Sequence, residues 1–229
     1  MRRLRRMSVL VKSLSLDRIM SSGTIRIIAG RWRRRSLPVA DSIGLRPTPA
    51  RVRETLFNWL QDEIEGRICL DLFAGTGALG FEAASRGAKE VVMVERKKDL
   101  ARAIEKAASD FGAGGSVRVF CADARTWRPT PDQRFDLVFL DPPWSGPAPR
   151  EALKRLEEVE AIAPCALACI EGDKTKEFTV PAGWTLRRDR CAGQVRYGLF
   201  ERDRPPPSER MSSAADHRFS VGLGDDSRR

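Results

Sequence analysis

The middle of the chain alternates short, nearly continuous apolar runs with helix-length amphipathic stretches, and this alternation constrains the fold more than any other feature. The runs are Ile68–Leu72, Glu90–Glu95, Val117–Cys121, Phe135–Leu140 and Leu167–Glu171, and the helical patterns between them are Leu79–Arg86, Lys98–Phe111 and Arg150–Val159. A strand that is apolar on both faces must be covered on both, which predicts a parallel sheet with helices packed on either side. Two further strands, Trp184–Arg190 and Val195–Arg202, are joined through Cys191-Ala192-Gly193, a connection so short that it permits nothing but an antiparallel hairpin. Ahead of the alternation lie a strand at Thr24–Ile28, a basic turn and a return strand to Val39. Pro49 then opens a helix from Ala50 to about Asp62, with Val52, Leu56, Trp59 and Leu60 on one face. The expected fold class is therefore α/β: a mostly parallel seven-stranded sheet closed by an antiparallel C-terminal hairpin, with a small N-terminal β-hairpin and helix.

The first of the apolar runs leads into Asp71-Leu72-Phe73-Ala74-Gly75-Thr76-Gly77-Ala78-Leu79-Gly80. Gly75, Gly77 and Gly80 satisfy GxGxxG between a strand and a helix, and Glu95 ends the next strand at the spacing of a ribose-binding acid, which by itself fits a nicotinamide dinucleotide. Asp71 argues against it, because a carboxylate at the strand end would face the pyrophosphate. S-adenosylmethionine carries a sulfonium, an ammonium and a nucleoside but no phosphate, so acids lining its site are tolerated. Glu95 would then accept from the ribose hydroxyls. Asp123, in Cys121-Ala122-Asp123-Ala124 after the third run, is placed to accept from the adenine amine. Helix capping and turn formation are the ordinary uses of an Asp at such positions.

The fourth run, Phe135–Leu140, ends in Asp141-Pro142-Pro143-Trp144. Two prolines terminate the strand and stiffen the loop. The Asp141 carboxylate and the Pro142 carbonyl become acceptors at one point beside the flat face of Trp144, an arrangement that suits an exocyclic amine on a planar base. Such an amine is a poor nucleophile because its lone pair is delocalised into the ring. Hydrogen bonds to Asp141 and Pro142 favour its pyramidal form and aim the lone pair, and proximity to an activated methyl supplies the rest.

These motifs look like the class I amino-methyltransferases of nucleic acids, which have a Rossmann-like fold. More closely, Ile25-Arg26-Ile27-Ile28-Ala29-Gly30-Arg31-Trp32-Arg33, Leu45-Arg46-Pro47-Thr48, Arg51–Leu60 and Asp71–Gly80 resemble the RsmD family, over roughly residues 24–202. The resemblance implies transfer of a methyl group from S-adenosylmethionine to the N2 amine of a guanine in bacterial small-subunit (16S) ribosomal RNA. It implies cofactor binding by Arg46, Thr48, Asp71, Phe73, Gly75, Thr76, Gly77, Glu95, Arg96, Asp123 and Ala124, with catalysis by Asp141, Pro142, Pro143 and Trp144. The substrate is expected within a partly assembled subunit, and the enzyme is expected to be monomeric, cytoplasmic and free of metal. Two alternatives stay open: adenine-N6 or cytosine-N4 methylation of DNA or RNA, and a non-catalytic RNA-binding assembly factor that keeps the fold.

Charge points the same way. The 229 residues carry a net charge of +10, but residues 1–60 hold 14 Lys/Arg against 3 Asp/Glu, so the excess sits at the N-terminal end. Arginine at a turn beside an aromatic is a common means of gripping RNA, which nominates Arg31, Trp32, Arg33, Arg34 and Arg35, extended by Arg51 and Arg53 on the following helix. The other use of such charge is a protected sheet edge.

The five cysteines form no CxxC pair and the one histidine, His217, lies in a polar tail, so neither a zinc site nor histidine-based catalysis is expected; the thiols are expected to be reduced and buried. Pro164-Cys165 precedes the fifth run rather than following the fourth, which argues against a nucleophilic role. No run reaches the ~20 apolar residues of a membrane span. Residues 1–22 are expected to be a flexible extension, with Val9-Leu10-Val11 too short for a signal sequence and the effective start nearer Met20. Residues 23–62 are expected to form the basic hairpin and helix, 63–202 the S-adenosylmethionine-dependent methyltransferase domain, and 203–229 a disordered tail.

Overall fold

The computed structural model describes residues 23–39, 49–143 and 148–204. The expected sheet forms from β3 (Ile68–Asp71), β4 (Glu90–Glu95), β5 (Val117–Cys121), β6 (Phe135–Leu140), β7 (Ile162–Asp173), β8 (Trp184–Ala192) and β9 (Val195–Arg202), in the order β5-β4-β3-β6-β7-β9-β8. Only β9 runs against its neighbours, between β7 and β8. The helices are α1 (Ala50–Trp59), α2 (Ala78–Ser85), α3 (Lys98–Asp110) and α4 (Pro149–Glu158). The chain steps outward from β3 to β4 and β5, then returns to lay β6 on the other side of β3. The C-terminal ends of β3 and β6 therefore flank the point where the winding reverses, where open α/β sheets bind their ligands.

Side-chain alternation divides the core in two. Cys69, Met93, Phe139, Cys169 and Leu199 face a layer containing α1, α2 and α3. Leu70, Val92, Val138, Ala168 and Phe200 face α4 through Ala152, Leu153 and Leu156. Each central strand is thus apolar on both faces, which is why these runs read as continuous in the sequence.

The N-terminal segment is part of the first layer. β1 (Thr24–Arg26) and β2 (Ser36–Pro38) pair antiparallel, and Ile25, Ile27, Leu37, Val52, Leu56 and Phe57 join the same core. The turn between the strands is clamped to α2. Glu82, buried mid-helix, accepts the backbone N–H groups of Ile28 at 2.7 Å and Ala29 at 3.0 Å, and Ser85 Oγ accepts that of Trp32 at 2.9 Å. Gly30, at φ 79°, lies so close that a Cβ would stand 1.9 Å from the Ser85 carbonyl oxygen, and no side chain fits there.

The structure corrects several boundaries. β7 begins at Ile162, five residues before the apolar run. It carries extra residues between its pairings at Ile162 and Leu167, where Cys165 takes φ 56°, so Pro164-Cys165 sits in a bulge inside the strand. The closing turn is Gly193-Gln194, because pairing extends to Ala192 with Val195. α1 ends at Trp59 rather than near Asp62. Asp203, the first residue of the expected tail, has its N–H bonded to the Gly183 carbonyl at 2.8 Å. All five cysteines are free, but only Cys69 and Cys169 are buried; Cys121 and Cys191 are exposed, in strands near the sheet's margins. The expected extension at 1–22 and the tail from 205 onward lie outside the described residues. Among the described residues no helix is long and apolar enough to cross a membrane, and no cluster of side chains could hold a metal ion.

Candidate active site

Asp71 closes β3 and is 1% exposed. Its Oδ2 accepts the backbone N–H of Gly80 at 3.0 Å, so the carboxylate fastens the far end of the glycine loop. Burial, reinforced by Asp141 and Glu95 nearby, pushes its pKa up to about 7 against the pull of that hydrogen bond. The loop turns at Gly75 and Gly77, both at positive φ, and Gly77 caps α2 in the left-handed region that favours glycine. Phe73 and Thr76 are half-buried within it.

Glu95 closes β4 and holds the near end of the loop. Its Oε2 accepts the Gly75 N–H at 2.9 Å and its Oε1 the Lys97 N–H at 2.8 Å. A carboxylate offers about four lone-pair sites. Among the described residues, one on each oxygen is left to accept from a ligand's hydroxyls, with the group already oriented by the two amides.

Asp141 and Pro142 follow β6 at the same edge of the sheet; Asp141 is half-buried, Pro142 buried and Pro143 exposed. Beside them lies a cavity of about 200 Å³ lined in part by Pro142, Pro143, Ile170, Glu171, Gly172 and Lys176. Asp123, beyond the end of β5, is at the expected edge, but its carboxylate is already held by Arg125. The Arg125 backbone N–H donates at 2.8 Å and its Nη2 at 2.6 Å, and this pairing keeps the Asp123 carboxyl well below the usual carboxylate range. An adenine amine would share that acceptor with Arg125. Arg96 is exposed and adds positive field at Asp123, and the buried Ala124 gives its carbonyl to the Arg155 guanidinium.

The structure thus brings together Asp71, Phe73, Gly75, Thr76, Gly77, Glu95, Asp141 and Pro142 at one edge of the sheet. Arg46, Thr48 and Trp144 lie outside the described residues.

Two expected RNA contacts are overturned. Trp32 is 6% exposed and packs its ring against Phe81 and Phe111 at centroid distances of 6.1 and 5.3 Å; the apolar space between α2 and α3 outcompetes solvent for an indole. Arg53, on the buried face of α1, is 3% exposed, and its Nη1 donates to the Arg26 carbonyl at 3.2 Å. Arg31 donates to Ser116 Oγ and Arg35 to the Asp110 carbonyl, each at 2.6 Å, and Arg35 lies over the Phe111 ring. Arg33, Arg34 and Arg51 are exposed. The turn docks at the C-terminal end of α2, whose eight residues span about 12 Å, so it sits at the end of the sheet opposite the glycine loop.

Sequence reasoning passed over Glu82, Ser85 and Glu171. The signal for both acids was present: each is a carboxylate inside an otherwise apolar run, Gly80-Phe81-Glu82-Ala83-Ala84 and Ala168-Cys169-Ile170-Glu171. Such acids persist only where the fold satisfies or uses them.

A sheet of this order with a single reversed strand, a glycine loop after its first strand and Asp-Pro-Pro after its fourth defines a class I methyltransferase. Within that class the chain belongs to the RsmD family: the family model described as Conserved hypothetical protein 95 matches residues 25–201. The chain is similar to Ribosomal RNA small subunit methyltransferase D of Escherichia coli (strain K12), with 43% identity over 80% of this chain and 92% of the relative. It is also similar to the protein of the same name from Haemophilus influenzae, with 41% identity over 79% of this chain and 95% of the relative. The solved structure of the Escherichia coli protein yhhF superposes with a TM-score of 0.71 at 40% identity, covering 79% of this chain and 99% of that one.

Proposed function

We propose that this chain transfers the methyl group of S-adenosylmethionine to the N2 amine of a guanine in small-subunit ribosomal RNA. That it is an S-adenosylmethionine-dependent methyltransferase of small-subunit ribosomal RNA follows from its family and from relatives of that name matched over most of its length. The observation that carries the chemistry is the placement of Asp141 and Pro142 at the same strand edge as Asp71 and Glu95.

The site fits the cofactor. Glu95 keeps acceptor capacity for a ribose diol, and the neighbouring carboxylates of Asp71, Glu95 and Asp141 suit a ligand whose reacting end is cationic and disfavour a pyrophosphate. When bound, S-adenosylmethionine supplies an electrophilic methyl on a sulfonium. Asp141 and the Pro142 carbonyl orient the target amine, draw on its two N–H groups and favour the pyramidal nitrogen whose lone pair takes the methyl. The product nitrogen is acidic enough to lose its proton without a histidine base.

RNA is gripped through Arg33 and Arg34, with Arg51 near the start of α1, as phosphate contacts that position the substrate without reading it. Because the basic turn lies across the protein from the site, this reading favours a folded RNA, or RNA within a partly assembled subunit, large enough to reach both. The enzyme works as a monomer. The test is transfer of labelled methyl to ribosomal RNA from a strain lacking the enzyme, followed by nucleoside analysis. N2-methylguanosine supports the reading; N6-methyladenosine, N4-methylcytidine or no product on any small-subunit substrate overturns it.

A further inference from the structure

We propose that Glu171 reads the target base, accepting the N1–H of guanine while Asp141 and the Pro142 carbonyl accept from the N2 amine; the assignment rests on the methyltransferase reading above. Leu140 pairs with Ile170 across the parallel β6–β7 ladder, so the residues that follow, Asp141 and Glu171, leave two adjacent strands at the same level. Neighbouring strands lie about 4.8 Å apart. Alternation gives both residues one face: Phe139 and Cys169 belong to the core under α1 and α2, Leu140 and Ile170 to the opposite one. Glu171 is 4% exposed, and the coupling of its charge to Arg53 on α1 and to Cys169 sets its side chain on that shared face. Arg53, tied to the Arg26 carbonyl, places its charge within the field of Glu171 and supplies the countercharge that a buried carboxylate needs.

Two carboxylates side by side select among the bases. Guanine carries its exocyclic amine next to a ring N–H, so both groups donate. Adenine and cytosine carry a ring nitrogen lone pair next to theirs, which a carboxylate, an acceptor only, repels. This arrangement explains how a motif that grips any exocyclic amine is restricted to one base.

The experiment uses the full chain and small-subunit RNA ligated to carry either guanine or 2-aminopurine at the methylated position. 2-Aminopurine keeps the N2 amine but presents an acceptor at N1 and no O6. In single-turnover transfer the wild type should favour guanine by about 100-fold or more, the scale of rejection when a site built for an N–H meets a base lacking it. Glu171→Gln, whose amide can donate to the N1 acceptor, should narrow the preference to within about tenfold while slowing guanine, a shift in ratio that loss of a merely structural partner of Arg53 would not produce. Calorimetric adenosylmethionine affinity reports that the variant is folded. Equal rates for the two bases in the wild type overturn the proposal without any variant, and so does a Glu171→Gln protein that keeps the wild-type ratio. A wild type that leaves the guanine RNA unmethylated sinks the functional reading and this assignment with it.

Discussion

The carboxylate of Glu95 holds the backbone N–H of Gly75 at 2.9 Å, joining the end of β4 to the turn after β3 across twenty residues of chain. The same group therefore shapes the glycine loop and is the one proposed to hold the ribose. Glu95→Ala should weaken adenosylmethionine binding by about 1–3 kcal/mol, the cost of losing charge-assisted hydrogen bonds to hydroxyls together with one loop anchor. Calorimetry on a folded variant checks this, and unchanged affinity would remove Glu95 from the site.

Asp71 should make the unliganded fold sensitive to pH. Its folded pKa, about 7, lies above the ordinary carboxylate value of 3.8, so the native state holds a proton that the unfolded chain releases. The stabilising contribution of this group is complete below about pH 4 and is lost as pH rises through about 7. Asp71→Asn keeps an acceptor for the Gly80 N–H and removes the titration. Urea unfolding between pH 4 and 8 should show a smaller decline for the variant than for wild type. Calorimetry should show wild-type affinity for the cationic cofactor rising over the same range, a rise that the variant lacks. Identical unfolding profiles would mean that Asp71 is ionised throughout.

Much of the architecture was legible because the central strands are covered on both faces: Glu90–Glu95 and Phe135–Leu140 have the bounds that the apolar runs suggest, and the outer strands Val117–Cys121 and Val195–Arg202 keep theirs as well. The start of β7 was not, because the exposed Pro164 and the half-buried Cys165 in the bulge interrupt the pattern that marks a buried strand. In the site, strand-end acids followed by glycine or proline announced themselves. The misreadings share one cause. Trp32 and Arg53 were judged by residue type in a basic neighbourhood, whereas their places were decided by partners far along the chain: Phe81 and Phe111 for the indole, and the packing of α1 over the sheet for the guanidinium. Glu82 went unseen because its partners are backbone amides more than fifty residues away.

Glu82→Ala should destabilise the protein by about 3 kcal/mol, since it strips a buried acceptor from the Ile28 and Ala29 amides and from the Arg86 Nε at 2.7 Å. Glu82→Gln, which keeps an acceptor oxygen, should cost less. Denaturant titration measures both, and an alanine variant as stable as wild type would show that the N-terminal turn is not held through α2.

Arg33 and Arg34 remain exposed where Arg31 and Arg35 are committed to the body. Replacing both with Ala should weaken RNA binding and reduce the slope of log affinity against log salt by about 1–2, as fewer counterions are released. Adenosylmethionine affinity should not change. An unaltered salt slope would make the turn a solvated edge with no part in binding.

The central claim is that Asp141 acts on the target amine as it pyramidalises, an interaction felt in turnover more than in binding. Single-turnover methyl transfer to small-subunit RNA at saturating cofactor tests it most directly, comparing wild type, Asp141→Ala and Asp141→Asn. Asp141→Ala should slow transfer by roughly 10²-fold or more, the scale of a lost preorganised electrostatic contact, with cofactor affinity within a few-fold of wild type. Asn should fall between the two, because its amide oxygen still accepts. An Asp141→Ala enzyme that transfers methyl at the wild-type rate would contradict the account.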